Sequence, residues 1–311
     1  MKKSLKLVAI VGPTATGKTR LGVELAHRLG SQILSADSRQ VYRGLDLGTG
    51  KDLADYSKVE PPVPYHLIDV AEPSDIYTLF DYQRDCFAVL RKLALETTFG
   101  SGEVPLVMVG GSGLYIEAVL QQYALADVAE DPALRQRLAH LSIEELRDRL
   151  RREAPDQFER TDTSSRRRLI RGLEIAAASA RGPVISTEPL GLDLDVRVVG
   201  IDVDRKTLRS RIATRLAERL QAGMVNEVRD LLEGGLPRSR LESLGLEYRA
   251  VGAFLAGRRT YQGMVRDLNI RIGQFAKRQQ TWFRGMARRG LDVTWVEPGD
   301  IHQLIHLTEG W

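Results

Sequence analysis

The sequence has one cysteine, Cys86, and five scattered histidines in 311 residues. A lone thiol excludes an internal disulfide framework, and neither residue type falls at zinc-site spacing. A reducing, cytoplasmic setting is expected. No apolar run approaches the roughly 20 residues that cross a bilayer, so no membrane partner is expected. The basic start, Met1 to Lys6, overlaps an apolar run, Leu5–Val11, that is too short for a signal segment and reads as a first strand. Charge of one sign is also lacking: 45 Lys and Arg face 41 Asp and Glu, a net +4. The distribution is more informative. Between Arg258 and Arg289 nine basic residues accompany one acid, Asp267, and Arg166, Arg167, Arg168 and Arg171 form a second cluster. Such clusters attract polyanions, and they equally suit a solvated helix face.

What is present is a chain that is 43% hydrophobic and 28% charged, enough for one large soluble domain or a core with an insertion. Short apolar runs alternate with helical periodicity in the first third. Strands are predicted at Leu5–Val11, Gln32–Ser35, Tyr65–Val70 and Val104–Val109, with helices at Lys18–Leu29 and Tyr77–Leu95. This alternation implies an α/β fold, a parallel sheet flanked by helices, which the glycine motif described below makes P-loop NTPase-like. Arg43–Pro64, with its glycines, charges and three prolines, reads as a long mobile loop. The domain expectation is a core from residues 1–120, a helical insertion over 121–190, and a second core part over 191–311. That last part carries a strand at Val196–Val203, basic helices and a final strand at Asp292–Val296.

Three segments carry chemistry. Gly12-Pro13-Thr14-Ala15-Thr16-Gly17-Lys18-Thr19 has the spacing G-x-x-x-x-G-K-[ST] between a predicted strand and helix. Backbone amides in such a loop converge on phosphate, the helix N-terminus favours anions, Lys18 adds a cation and Thr19 offers a hydroxyl to Mg²⁺. The motif specifies a di- or triphosphate without choosing between them. Ser35-Ala36-Asp37-Ser38-Arg39-Gln40-Val41-Tyr42 follows the second strand, where an open parallel sheet binds its ligands. Asp37 there suits a water-bridged Mg²⁺ or a general base, and equally a helix N-cap. Val109-Gly110-Gly111-Ser112-Gly113-Leu114-Tyr115 ends the buried strand; Ser112 can reach the same crevice or cap a tight turn.

Together the segments GPTATGKT, SADSRQVYRGLDLGTGK, PYHLIDV, VGGSGLY, RRLIRGLEI, DRKTLRSRI and FAKRQQTWFR, in this order from Val11 to Arg284, resemble the tRNA dimethylallyltransferase (tRNA isopentenyltransferase) family. The resemblance implies transfer of a dimethylallyl group from dimethylallyl diphosphate to the exocyclic amine of the adenine immediately 3′ of the anticodon, releasing diphosphate. It implies that Gly12 to Thr19 hold the diphosphate with Mg²⁺ on Thr19, that Asp37 takes or orients the amine proton, and that Ser112, at a position usually Thr, contacts the amine. Lys18 and an arginine of DRKTLRSRI would steady the leaving group; Arg211 is the choice, with Arg205 and Arg215 as alternatives. The tRNA anticodon stem-loop would be met by Asp37, Ser38, Arg39, Gln40, Ser112, Arg135, Arg167, Arg168, Arg171, Lys277, Arg278 and Arg284. Trp282 and Phe283 fit an apolar helix face with Ile272, Phe275, Ala276 and Met286, so core packing is preferred over base stacking. A monomer is expected.

Departures from the family pattern lie at Tyr123–Glu130 and at Leu244–Arg249, where a Gly-Tyr-Lys type segment is common; both bear on stem recognition. Three rivals keep a phosphate loop: an adenylate isopentenyltransferase acting on free AMP, a small-molecule kinase, and a non-catalytic RNA-binding protein. The insertion and the basic stripe disfavour the first and the FAKRQQTWFR segment the second. A carboxylate beside the phosphate site disfavours the third.

Overall fold

In the computed structural model, residues 4–100, 104–309 and 311 are described; the basic start at residues 1–3 lies outside them. The chain forms two compact units, one comprising the residues up to Tyr123 and from Leu190 onward, the other Ala124–Pro189.

The first unit is built on six parallel strands, β1 (Ser4–Val11), β2 (Ile33–Ser35), β3 (Tyr65–His66), β4 (Leu106–Gly110), β5 (Asp193–Ile201) and β6 (Val293–Val296). Their order is β3-β2-β4-β1-β5-β6. β1 is a near-continuous apolar run because it is covered on both faces. Its Val8 and Ile10 pack with Leu21, Val23 and Leu25 of helix Lys18–Leu29. Leu7, Ala9 and Val11 point the other way, to Phe87, Leu90, Ile116 and Val119 of helices Leu79–Leu93 and Gly113–Leu120. The helices that follow β1 and β4 thus cover opposite faces of adjacent strands, which opens a crevice at the strands' carboxyl ends.

Two expectations are corrected here. β3 is shorter than Tyr65–Val70, because Leu67 and Asp69 take left-handed backbone angles (φ 67° and 56°) that no strand tolerates. Arg43–Pro64 is packed, with Leu45, Tyr56 and Val63 buried and a short helix at Ala54–Ser57. Lys51, only 1% exposed, donates to the Tyr42 carbonyl (2.8 Å) and pairs with Asp46 (2.6 Å) and Asp69. Glu227 accepts the amides of Asp46, Leu47 and Gly48 at 3.0, 2.6 and 3.0 Å.

The second unit is helical: Pro132–Leu138, Ile143–Glu153, Pro155–Glu159 and Arg166–Ser179 close on Leu134, Leu138, Leu146, Leu150, Leu169 and Leu173. Asp131 and Ser142 cap two of these helices, Ser142 in a capping box with Glu145. Its arginines are largely engaged in this architecture, which changes the expectation for several RNA-contact candidates. Glu174, with a side chain 0% exposed, accepts from Arg135 at 2.7 and 3.0 Å and from Arg171 at 3.3 Å. Arg171 also donates to the Val128 carbonyl, Arg168 pairs with Asp162, and Arg166 caps the carbonyls of Leu138, Ala139 and Leu141. A buried carboxylate needs these partners, so packing claims Arg135 and Arg171 first. Arg167 is exposed and carries no ion pair among the described residues.

Burial pushes the Glu174 carboxyl up, but Arg135, the Asp131 amide and Arg171 more than offset this and hold it below its ordinary value. A depressed carboxyl stabilises the fold above its unfolded pKa of about 4.3, and that gain is lost as pH falls through the lower folded value. Glu174→Gln is therefore expected to cost about 1–3 kcal/mol at neutral pH. The difference from the parent should shrink as pH falls below about 4.3 and on through the lower folded pKa. Urea unfolding followed by far-ultraviolet circular dichroism at neutral and acid pH measures it; an unchanged difference in acid would contradict the assignment.

Candidate active site

The phosphate loop leaves the end of β1 and enters helix Lys18–Leu29 at Gly17, whose φ of 87° only glycine adopts without strain. Ala15 also lies in the left-handed region, at φ 63°. Left-handed residues within such a loop turn successive amides into one concavity, which is what an anion needs. Within the loop the Thr16 hydroxyl and the Lys18 ammonium both donate to the Pro13 carbonyl, at 2.9 and 2.8 Å. Burial first, and then the charge of Arg215, lower the Lys18 pKa to about 8, with Asp37 and Asp52 acting in the opposite direction. Asp37 is thus electrostatically coupled to the phosphate loop. Thr19 is half-buried at the start of the helix.

Asp37 follows β2, its Oδ1 accepting the Arg39 amide at 2.9 Å. Ser112 follows β4; its hydroxyl accepts the Ser38 amide (2.9 Å) and donates to the Ser38 hydroxyl (3.2 Å). Of the two readings of Ser112, capping is not borne out: its hydroxyl makes no cap hydrogen bond to its own helix and reaches across to Ser38 instead. The two segments meet because residue 110 is glycine: a Cβ there would lie 2.1 Å from the Ala36 carbonyl oxygen. Gln40 turns inward instead of toward solvent, accepting from the Ser35 hydroxyl and donating to the Gly50 carbonyl. Arg39 is exposed and donates to the Ser243 carbonyl.

A residue that the sequence reading passed over joins these pieces. Gln279, 7% exposed, accepts the Thr14 amide of the phosphate loop at 3.0 Å and donates to the Gly111 carbonyl at 2.9 Å. It lies inside the FAKRQQTWFR segment as one of two adjacent glutamines, and nothing local distinguishes it from Gln280. Trp282 and Phe283 pack into the core as expected, Phe283 fully buried. Phe275 does not: it is 39% exposed, with the Arg278 guanidinium 5.9 Å over its ring. Lys277, Arg278 and Arg284 are exposed, and Arg284 makes a 3.4 Å contact with the exposed Asp202.

The arginine assignment shifts. Arg211 and Arg205 are exposed, whereas Arg215 reaches the Thr14 hydroxyl (3.4 Å), the Gly50 carbonyl (3.3 Å) and Asp52 (2.5 Å). Helical geometry explains it. Leu208, Ile212 and Leu216 form the buried stripe of helix Arg205–Gln221. At 3.6 residues per turn, Arg211 points about 100° from the stripe's centre, Arg215 about 60° and Arg219 about 20°. Arg219, also passed over, lines a small pocket with Thr14, Ala15, Arg215 and Glu247.

A parallel sheet that offers a phosphate loop from its central strand makes this an α/β protein of the P-loop class, and comparisons with known proteins narrow the class. Residues 40–286 match the family model for IPP transferase, and residues 5–60 that for isopentenyl transferase. A tRNA dimethylallyltransferase of Porphyromonas gingivalis is 47% identical, the match covering 94% of this chain and 93% of the relative. One of Syntrophotalea carbinolica is 46% identical over 94% of both. Among solved structures, the tRNA isopentenylpyrophosphate transferase of Bacillus halodurans superimposes with a TM-score of 0.67 at 30% identity, covering 98% of this chain and 95% of the other. A eukaryotic dimethylallyltransferase acting on tRNA shares the fold at TM-score 0.71 and 19% identity, over 96% and 75% of the two chains. The chain belongs to the IPP transferase family, the prenyltransferases that include the tRNA dimethylallyltransferases. Among the described residues no helix is long and apolar enough to cross a membrane.

Replacing Gln279 by Met keeps the bulk and removes both hydrogen bonds, leaving the Thr14 amide and Gly111 carbonyl unmatched. The expected cost is about 1–3 kcal/mol of stability, read as a lower urea midpoint. The buried location requires it; a midpoint equal to the parent's would show that water replaces the amide freely.

Proposed function

We propose that this chain transfers a dimethylallyl group from dimethylallyl diphosphate to the exocyclic amine of the adenine 3′ of a tRNA anticodon, in a cytoplasmic setting and as a monomer. The observation that carries the reading is the meeting of a phosphate loop, the Asp37 carboxylate and the Ser112 hydroxyl at one end of the sheet, in a chain of this family. The amine is a weak nucleophile because its lone pair is delocalised into the ring. As its nitrogen bonds to the allylic carbon, the carbon–oxygen bond to diphosphate breaks and one amine proton must leave. Asp37 takes or orients that proton, and Ser112 holds the amine. Negative charge grows on the departing diphosphate, where the loop amides, Lys18 and Arg215 stabilise it. Arg215 takes the role first expected of Arg211.

A magnesium ion fits the donor set. The described residues contain no cluster of three or more Asp, Glu, His or Cys that could cage a metal. A cation that keeps most of its waters and shares phosphate oxygens needs only one or two hard protein donors. The Thr19 hydroxyl would supply one directly and Asp37 a second through water. When bound, the ion adds positive charge to the diphosphate.

The acceptor adenine must leave its stack to reach such a site, as in other base-modifying enzymes, and single-stranded loops are where RNA sequence is read. The helical unit would take the anticodon stem-loop, with exposed Arg167 and Arg168 as its contacts. Lys277, Arg278 and Arg284 are the phosphate contacts proposed on helix Tyr261–Arg284. Arg39 and Ser38 lie beside Asp37 and would meet the target loop.

Lys18→Ala should reduce single-turnover transfer by about 100-fold or more, on the scale of losing one transition-state donor; a rate within a few-fold of the parent would remove Lys18 from the mechanism. Asp37→Asn should leave stem-loop affinity nearly intact while depressing the rate, since size and hydrogen bonding persist but the basic oxygen is gone. The acceptor itself is tested by mass spectrometry of nucleosides after incubation with dimethylallyl diphosphate and either an anticodon stem-loop or AMP at equal concentration. Modified stem-loop with unmodified AMP is expected. Efficient transfer to AMP alone would assign the chain to adenylate prenylation.

A further inference from the structure

Arg219 carries a demand that no group among the described residues meets. Its Nη2 is buried and makes no hydrogen bond among the described residues. Burial, followed by the charge of Arg215, draws its pKa down to about 10. A desolvated guanidinium with an idle donor is costly, and native structures keep one where a ligand completes it. The neighbouring charge deepens the demand. A Cβ on Gly50 would lie 1.4 Å from Arg219 Nη2 and 2.5 Å from Arg215 Nη2, so these two nitrogens are at most 3.9 Å apart. Arg215 is answered by Asp52 at 2.5 Å. Arg219 has no ion pair among the described residues. Glu247 lines the same pocket, where burial raises its pKa against the opposing pull of Arg219, and the two form no ion pair among the described residues. The pocket is a cavity of about 20 Å³ with Thr14 and Ala15 of the phosphate loop in its wall.

Two guanidiniums at this separation repel each other unless an anion lies between them. The position beside Thr14 says which anion: one bound at the phosphate loop that presents oxygens on more than one phosphorus. We propose that Arg219 is a second arginine ligand of the diphosphate, forming with Lys18 and Arg215 a three-cation cradle on the donor's leaving group. This rests on the reading of Gly12–Thr19 as the diphosphate site. The hydrogen bond idle in the ligand-free chain is then a reserve for the donor. Arg219 destabilises the free protein slightly and is repaid only when an anion arrives.

That trade gives the test an opposite-sign signature. Inorganic pyrophosphate is titrated calorimetrically into the full chain, its Arg219→Met and Arg219→Lys variants, and Lys18→Ala. Urea midpoints are measured without ligand. Arg219→Met should weaken pyrophosphate binding by about tenfold to a hundredfold, the range for a hydrogen bond to a charged group. Its ligand-free midpoint should hold or rise, because a half-buried cation with an unpartnered buried donor is replaced by an apolar chain. Arg219→Lys should fall between, and carries the test alone if the Met variant does not fold. Parent-like affinity in the variants overturns the proposal. So does a loss of affinity matched by a drop in the ligand-free midpoint, which would make Arg219 a structural residue. If the parent itself fails to bind pyrophosphate, or Lys18→Ala binds it equally well, the phosphate-loop reading falls first and this proposal with it.

Discussion

The amide of Gln279 holds together the end of the sheet on which everything else depends. One end of it accepts a phosphate-loop N–H and the other donates to the carbonyl of Gly111, so β1, β4 and helix Tyr261–Arg284 are fixed to one another at a single buried point. The clamp works only because the backbones it joins approach closely. Gly110 lies against the Ala36 carbonyl, and the Cβ of any other residue would push the Asp37 segment away. Ser112 then reaches across to Ser38. A carboxylate, a hydroxyl and a set of amides from three distant stretches are thereby brought to one crevice by packing and hydrogen bonds.

Around this point the chain divides its abundant positive charge into three populations. Arg135, Arg166, Arg168, Arg171 and Arg289 are engaged with buried carboxylates, helix ends or local acids. Arg215 and Arg219 face the phosphate loop, where burial and mutual repulsion make an anion welcome. Lys277, Arg278 and Arg167 remain at the surface. A polyanion is met at little cost by this last group and by Arg168 and Arg284, whose acid partners are themselves exposed, whereas withdrawing Arg135 or Arg171 would strand Glu174.

The segment from Arg43 to Pro64 links the two ends of this arrangement. Glu227 gathers three of its amides, its own Lys51 is buried, and its Gly50 carbonyl takes hydrogen bonds from both Gln40 and Arg215. A stretch rich in glycine and proline is therefore a strut between the Asp37 segment and the arginine helix. Its glycines serve close approach: a Cβ on Gly48 would come within 2.5 Å of the Tyr248 ring.

The parallel sheet, the phosphate loop and the membership of the family were legible in the sequence, because each is written in near neighbours. An apolar run that needs cover on both faces, a glycine spacing that turns amides inward and the motif order from Val11 to Arg284 are local properties. The meeting of the Asp37 and Ser112 segments was legible too, since each follows a strand at the same end of the sheet. What the sequence left open is which long polar side chain meets which partner. Arg211 and Arg215 are alike in composition and differ only in their angle to a stripe whose burial depends on helices far along the chain. Gln279 meets Thr14 across 265 residues, Glu227 meets Leu47 across 180, and Arg135 turns to Glu174 before any nucleic acid can claim it. Such pairings follow from the buried geometry that remains after the apolar faces have packed. Only the tertiary structure decides them, because the cost of an unmatched polar group is set by the surroundings it is buried in and not by its neighbours in the chain.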